Sequence, residues 1–126
     1  MLTGVGRFAI FADVTSIQPD GDGVRMRSLQ VADQDFHVGD QAYWGGWSWW
    51  RFDCARRTAD RLDFASIKAG GATGPATADE ASPYDAAAGG DAAELMDVAC
   101  NPASAGEADA DTVAAAVRVG RAQLAF

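Results

Sequence analysis

The chain has little or none of several features that mark particular protein classes. It has no run of about 20 apolar residues, the length that a membrane-spanning helix needs. Lysine and arginine together number 10, against 18 acidic residues. There is one histidine, His37, and there are two cysteines, Cys54 and Cys100. A membrane span is therefore not expected, the net charge of −8 disfavours a nucleic-acid partner, and a zinc site would lack ligands.

The length and the distribution of large apolar residues indicate one domain. A chain of 126 residues can bury one substantial core. Large apolar residues become scarce after Ile67, so the core should come mainly from the first half of the chain. We expect a single domain over residues 1–126. Within it, residues 7–100 should form a sheet with a tethered helix, and residues 101–126 a C-terminal helical extension.

Alternating apolar side chains predict strands in the first half of the chain. The predicted strands are Arg7–Asp13, Val24–Val31, Trp47–Ala55 and Asp60–Ala69. In the second of them the apolar phase shifts by one residue, which predicts a β-bulge near Ser28. Residues 32–41 are expected to form a polar connection that reverses at Gly39–Asp40. The low-complexity residues 69–90 are expected to form a mobile loop.

Two helices are expected in the second half. The first begins at Asp91, because Asp91 and Glu94 have the spacing of a capping box, and it ends before Pro102. Its apolar stripe turns Cys100 towards the sheet. The second helix spans about residues 111–124. These elements predict an α+β fold: an antiparallel sheet of four to six strands, one helix tethered to it by a disulfide, and an additional C-terminal helix.

The placement of the two cysteines suggests that disulfide. Cys54 ends the aromatic strand and Cys100 ends the first helix, and each is the only partner available to the other. A bridge would close a loop of about 46 residues and add on the order of 4 kcal/mol of stability in the chain-entropy model. It would also indicate an oxidising compartment. Two buried free cysteines are the alternative interpretation.

All four tryptophans lie in the segment that ends at Cys54. Strand alternation places Trp50, Phe52 and Cys54 on one face, which is expected to belong to the core. The opposite face carries the three candidate binding residues, Trp47, Trp49 and Arg51. If nothing covers that face, it is an exposed apolar patch of the kind that marks an interaction site. Cover by the C-terminal helix or by a second subunit is the alternative.

His37 is the one candidate for acid–base chemistry, with Asp33, Asp35 and Asp40 near it in the sequence. It is expected to lie in an exposed loop, and no serine or cysteine has a recognisable nucleophile context. We therefore predict a non-enzymatic protein with no catalytic residue, no metal site and no cofactor. A small enzyme that uses His37 and the nearby acids is the alternative, and a deep cleft around His37 would favour it.

Several short motifs follow one another in an order that is typical of one family. They are an aromatic strand reaching Asp13, Ser16–Ile17, Gly21–Val24, Asp53–Cys54, Arg61, a glycine-rich loop, Ser82–Tyr84 and a helix ending at Cys100. In this order and spacing the chain resembles the surface-adhesin protein E family of bacterial cell-envelope proteins, over roughly residues 7–100.

The resemblance implies an antiparallel sheet with a helix tied to it by a Cys54–Cys100 bridge, and it implies export. The best-known member of the family looks like a dimeric adhesin that binds host matrix proteins, so the resemblance also implies adhesion as an expectation. This chain departs from the pattern in its long Ala/Gly/Asp loop, in the helix after Asn101, and in lacking a visible lipobox cysteine. No binding residue is carried over from the family.

Residues 1–6 do not have the features of a secretory signal, because they lack a basic start and Arg7 interrupts the apolar stretch. Either the chain is cytoplasmic with two thiols, or it begins at a mature N-terminus; the cysteine context favours the second. We expect an extracytoplasmic protein, periplasmic or associated with the outer membrane, that recognises a protein partner. A purely structural envelope dimer, with Trp47 and Trp49 buried between its subunits, is a further alternative.

Overall fold

The computed structural model of the protein describes residues 1–6, 8–104 and 109–125. These residues form an eight-stranded sheet, two α-helices and one 3₁₀ turn at Pro102–Ser104. The elements are β1 (Leu2–Val5), β2 (Ala9–Asp20), β3 (Gly23–Val38), β4 (Gln41–Asp53), β5 (Thr58–Arg61), β6 (Asp63–Lys68), β7 (Thr77–Ala78), β8 (Tyr84–Asp85), α1 (Asp91–Cys100) and α2 (Val113–Leu124). The α+β prediction is confirmed. Since β7 and β8 have two residues each, six strands of four or more residues remain, the upper end of the expected range.

All strand pairs are antiparallel, and β1 to β4 are neighbours in chain order. β5 and β6 both pair with β4, in successive stretches: Thr58 lies opposite Asp53, and Ala65 lies opposite Trp47. Between them the N–H of Leu62 donates to the backbone oxygen of Trp49 at 2.8 Å. The predicted strand over residues 60–69 therefore forms, with an interruption at Leu62.

The predicted polar connection over residues 32–41 is wrong. β3 continues to Val38 and β4 begins at Gln41, so the turn consists of Gly39 and Asp40 alone, where the reversal was predicted. Gly39 has a φ of 61°, which glycine adopts without steric cost. The rings of Phe36 and Tyr43 stack across the hairpin with centroids 5.5 Å apart. Phe36 and Val38 alternate with Asp35 and His37, but both are exposed and two residues are too few to predict a strand.

Each face of the sheet packs against one helix. On one face α1 contributes Leu95 and Met96 to a core shared with Ile10, Met26 and Phe52. On the other face α2 contributes Ala116 and Val117 to a core whose sheet residues are Ala9, Phe11, Leu29, Val31 and Ile67. Consecutive residues of one strand thus belong to different cores, because strand side chains alternate between faces.

This arrangement explains the apolar phase shift in β3. The register between β3 and β4 is unbroken from Val24 to Val31, so the predicted bulge near Ser28 is wrong. The register irregularity lies instead in β2, between Asp13 and Gln18. The change from Met26 to Leu29 marks the point where the main apolar partner of β3 changes from α1 to α2.

Helix α1 is tied to the sheet as predicted, by a disulfide between Cys54 and Cys100. Its start at Asp91 and its end at Cys100 also agree with the prediction. The predicted capping box is absent: Gly90 occupies the N-cap position, no side chain caps it, and the N–H of Glu94 donates to the oxygen of Gly90 at 3.1 Å. Asp91 is itself the first helical residue, one position too late to cap the helix.

Helix α2 lies close to the sheet because of a glycine. A Cβ atom at Gly120 would come within 2.9 Å of the Cβ of Ala9 and within 3.1 Å of the ring of Phe11. At its start, Thr112 Oγ1 accepts a hydrogen bond from the N–H of Ala115. Near its end, Arg121 Nη2 donates to Asp35 Oδ1 at 2.7 Å. The Thr112 hydrogen bond caps the helix, whereas Gly120 and Arg121 hold its C-terminal half against the sheet.

Candidate recognition surface

Beyond α2, the same sheet face carries a set of arginine and tryptophan side chains. Strands β3 and β4 place Arg27 opposite Trp49 and Arg25 opposite Arg51, and Trp47 follows on the same face. We define the arginine–tryptophan face as Arg25, Arg27, Trp47, Trp49 and Arg51. Trp50 and Phe52 pack on the α1 side, as the predicted alternation requires. The prediction is wrong for Cys54, which is an exposed turn residue after the end of β4 at Asp53.

The arginines of this face lie diagonally over the indole rings. The guanidinium carbon of Arg27 is 3.8 Å from the ring centroid of Trp47, and that of Arg25 is 5.8 Å from the ring centroid of Trp49. A guanidinium over an indole face is a favourable cation–π contact. Trp47 also packs against the core beneath α2. Both tryptophans are consequently half-buried, so the face is neither a bare apolar patch nor fully covered.

Asp13 holds Arg27 in place. Its Oδ2 accepts hydrogen bonds from Arg27 Nη2 at 2.8 Å and from Arg27 Nε at 3.1 Å. Its Oδ1 accepts from the hydroxyl of Thr15 at 2.6 Å and from the N–H of Thr15 at 3.2 Å. Burial raises the pKa of Asp13, but these hydrogen bonds and the charge of Arg27 outweigh it, and the net pKa is lowered. The carboxylate of Asp13 therefore fixes the position of the Arg27 guanidinium before any partner binds.

Asp20 bridges the other two arginines more loosely. Its Oδ2 lies 3.4 Å from Arg25 Nε and 3.3 Å from Arg51 Nε, and its backbone oxygen accepts from Arg51 Nη2 at 3.1 Å. The Nε of Arg25 is buried and makes no hydrogen bond. Three guanidinium groups thus meet the carboxylates of Asp13 and Asp20, and Asp60 lies opposite Arg51 in β5, so positive and negative groups are balanced on this face. Such partly exposed ion pairs contribute little stability and can exchange for a partner's groups.

A cavity of about 350 Å³ opens beside this face, between the sheet and the start of α2. Its apolar wall consists of Phe11, Leu29, Trp47, Val113 and Ala116. We call it the Trp47 pocket. Its volume lies at the lower end of the range in which proteins bind small molecules.

The structure does not surround His37 with a cleft. His37 is an exposed residue of β3 opposite Ala42, not a loop residue as predicted, and it does not line the Trp47 pocket. A second cavity, of about 540 Å³, is lined by Asp33 and Asp35 but not by His37. Asp33, Asp35 and Asp40 are exposed too, and Asp35 binds Arg121. Within residues 1–6, 8–104 and 109–125 no three or more histidine, cysteine or acidic side chains gather in a metal-binding arrangement.

Sequence reasoning identified only part of this surface. It pointed to Trp47, Trp49 and Arg51 but not to Arg25 and Arg27, which supply the cations over the rings. The alternation that puts Met26 into the core also puts these two arginines on the opposite face, so a signal existed. The register that brings them to the tryptophans comes from strand pairing over about 20 residues and is not visible in either segment alone.

A family model, surface-adhesin protein E, matches residues 2–101. The chain belongs to this family. The matched region holds the whole arginine–tryptophan face and both cysteines, whereas α2 follows it. No curated protein and no solved structure matches the chain significantly.

Membership of the surface-adhesin protein E family suggests an adhesin-like, non-enzymatic role and implies an extracellular or surface location. None of the helices in the described part of the chain is long and apolar enough to cross a bilayer.

Proposed function

We propose that the protein is an exported, non-enzymatic envelope protein that recognises a protein partner through its arginine–tryptophan face. The observation that carries this proposal is the placement of Arg25 and Arg27 over two half-buried tryptophans on the paired strands β3 and β4, with Arg51 beside them. Family membership supports the adhesin-like character of the role.

The chemistry of the face suits protein recognition. Tryptophan and arginine are the residues most enriched among those that dominate binding energy at interfaces. Here the guanidinium groups are already held by carboxylates and indole rings, so little side-chain entropy remains to be lost on binding. The guanidinium groups and indole rings suit a partner surface that presents carboxylates beside apolar side chains.

The disulfide supports the proposed location outside the cytoplasm. Disulfides persist in the periplasm and in extracellular space, and are rare in reducing cytosol. The Cys54–Cys100 bridge is consistent with either of the two locations proposed, the periplasm or the outer membrane.

The test is a binding assay with purified extracellular-matrix and plasma proteins immobilised on a biosensor. We expect at least one to bind the protein, and Trp49→Ala and Arg51→Ala each to weaken that binding at least tenfold, the effect of about 1.4 kcal/mol. The matched controls Tyr84→Ala and Arg56→Ala remove an exposed aromatic and an exposed cation elsewhere, and should bind normally. Thermal unfolding verifies that all four variants are folded.

Two results would contradict the proposal. One is the absence of binding to any protein of the panel; the other is equal binding by the wild type and the Trp49→Ala and Arg51→Ala variants. Light scattering after size exclusion adds a separate outcome. If the wild type is a dimer and Trp49→Ala is a monomer, the face is a subunit interface and the structural-dimer alternative replaces the proposal.

A further inference from the structure

We propose that the Trp47 pocket binds a small organic amine with an apolar body about the size of a phenyl ring. The pocket adjoins the arginine–tryptophan face and shares Trp47 and Arg27 with it, but it opens towards the start of α2. The inference goes beyond the proposed function, because a free amine would bind there whether or not a protein partner uses the open face.

The size and the wall of the pocket select the apolar body. A volume of about 350 Å³ accommodates one aromatic ring with a short chain. Phe11 and Leu29 come from the sheet, and Val113 and Ala116 from α2. Burial of a phenyl group against these side chains supplies the attraction, since each Å² of apolar surface removed from water contributes about 25 cal/mol.

The charges at the rim select the amine. Of the arginines among the described residues, only Arg27 lines the pocket, and it is already bound by Asp13 through two hydrogen bonds and stacked on Trp47. Asp111 also lines the pocket, is exposed, and has no hydrogen bond or ion pair within the described residues. A carboxylate ligand would therefore find Arg27 already bound and the carboxylate of Asp111 beside it, whereas an ammonium group could pair with Asp111.

Two further charged groups near the pocket do not change the net charge of its rim. The amino group of Met1, which donates to the oxygen of Ala12 at 2.7 Å, lies at the pocket together with the nearby carboxylate of Asp109. One is a cation and the other an anion, so the rim keeps an excess of one negative charge with or without them. The start of α2 favours an anion, but Asp111, one residue before the N-cap Thr112, already supplies it.

The test uses three probes with a phenyl ring and a short chain: 2-phenylethylamine, 2-phenylethanol and 3-phenylpropionate. Each is titrated into ¹⁵N-labelled protein, and the amide signals of Val113 and Ala116 and the indole signal of Trp47 are followed. We expect saturable shifts with the amine, with a Kd about two- to fivefold lower than that of the alcohol, as a partly exposed charge pair gives. Asp111→Asn should abolish the difference between amine and alcohol.

A pocket-filling variant provides the second readout. Val113→Trp should abolish the shifts, whereas Arg118→Trp, which adds the same side chain on the exposed side of α2, should not. If Val113→Trp does not fold, Thr15→Trp fills the pocket from the exposed rim instead. The proposal is overturned if the shifts do not saturate by about 20 mM amine, on the order of the weakest small-ligand affinities. It is also overturned if 3-phenylpropionate binds as tightly as the amine or more tightly, or if the shifts persist in the variant with the filled pocket. None of these results bears on the Trp49→Ala test of protein recognition.

Discussion

Removal of the Cys54–Cys100 bridge should weaken the protein strongly but leave it folded. The bridge closes a loop with a sequence separation of 46 residues, which contains β5 to β8 and most of α1. In the chain-entropy model, the loss of such a cross-link gives the unfolded chain back about 4 kcal/mol of conformational freedom. Domains of this size have a total stability of only about 5–15 kcal/mol.

The native state has reasons to survive this loss. Leu95 and Met96 of α1 are almost completely buried between the helix and the sheet, at 1% and 0% exposure. Burial of such side chains contributes about 1.5–3 kcal/mol each relative to their exposure. The apolar face of α1 should therefore keep the helix docked without the covalent link, at a reduced margin.

The measurement compares urea unfolding of the wild type with that of the Cys54→Ser/Cys100→Ser double variant. We expect a free energy of unfolding lower by about 4 kcal/mol. The m-value of the variant should be higher, because a chain without the cross-link exposes more surface on unfolding. The wild type in reducing agent should behave like the variant. A loss below about 1 kcal/mol, with α1 amides as protected from hydrogen exchange as in the wild type, would refute the loop-entropy argument.

Three further changes test the packing and the ion pairs. Because the pKa of Asp13 is lowered on folding, its carboxylate stabilises the folded protein above about pH 4, and this stabilisation is lost as the pH falls further. Asp13→Asn should therefore lower the free energy of unfolding by about 1–3 kcal/mol at pH 7 and by progressively less below pH 4. Gly120→Ala should lower the stability by about 1–3 kcal/mol, although helix propensity favours alanine, since the new Cβ would meet the Cβ of Ala9 at 2.9 Å. Gly45→Ala should lower it by more than about 3 kcal/mol or prevent folding, since its Cβ would overlap the backbone oxygen of Gln30.

Control substitutions at positions without such contacts test whether the specific contacts of Asp13, Gly120 and Gly45 cause these losses of stability. A Cβ at Gly6 meets no atom within 4 Å, so Gly6→Ala should change the unfolding free energy by less than about 0.5 kcal/mol. Asp22→Asn, at an exposed turn residue, should change the unfolding free energy at pH 7 by less than about 0.5 kcal/mol. Urea titrations at pH 7 and at pH 3 measure all five variants. A pH-independent effect of Asp13→Asn, or an unchanged Gly120→Ala variant, would show that the contact in question does not act as described.

The sequence predicted the parts of this fold that a local pattern determines. Trp50 and Phe52 alternate with Arg51 and Asp53, so their packing on the core side could be predicted, and Cys54 and Cys100 are the only two cysteines of the chain. The sequence predicted the turn of the β3–β4 hairpin at Gly39–Asp40 but not the strands that lead to it, because only Phe36 and Val38 alternate with polar residues there.

The candidate site was predicted in part for a related reason. The aromatic side chains stand out in any composition, and Trp49 was named for that reason. The cation over its ring belongs to another strand, and only the register between β3 and β4 brings Arg25 within 5.8 Å of it. The pocket depends further on α2, whose approach requires the missing side chain of Gly120. Contacts between distant segments are set by tertiary packing, which no single window of sequence contains.

Because β3 contributes side chains to both cores, a change in its register would disrupt the packing of both. A slip of one residue would move Met26 out of the α1 core and carry the guanidinium of Arg25 or Arg27 into it, while Leu29 left the α2 core at the same time. Sheets with one solvated face incur only one such penalty when a strand slips. In this protein a misaligned hairpin would therefore have no apolar face left to bury, and mispaired states should be strongly disfavoured during folding.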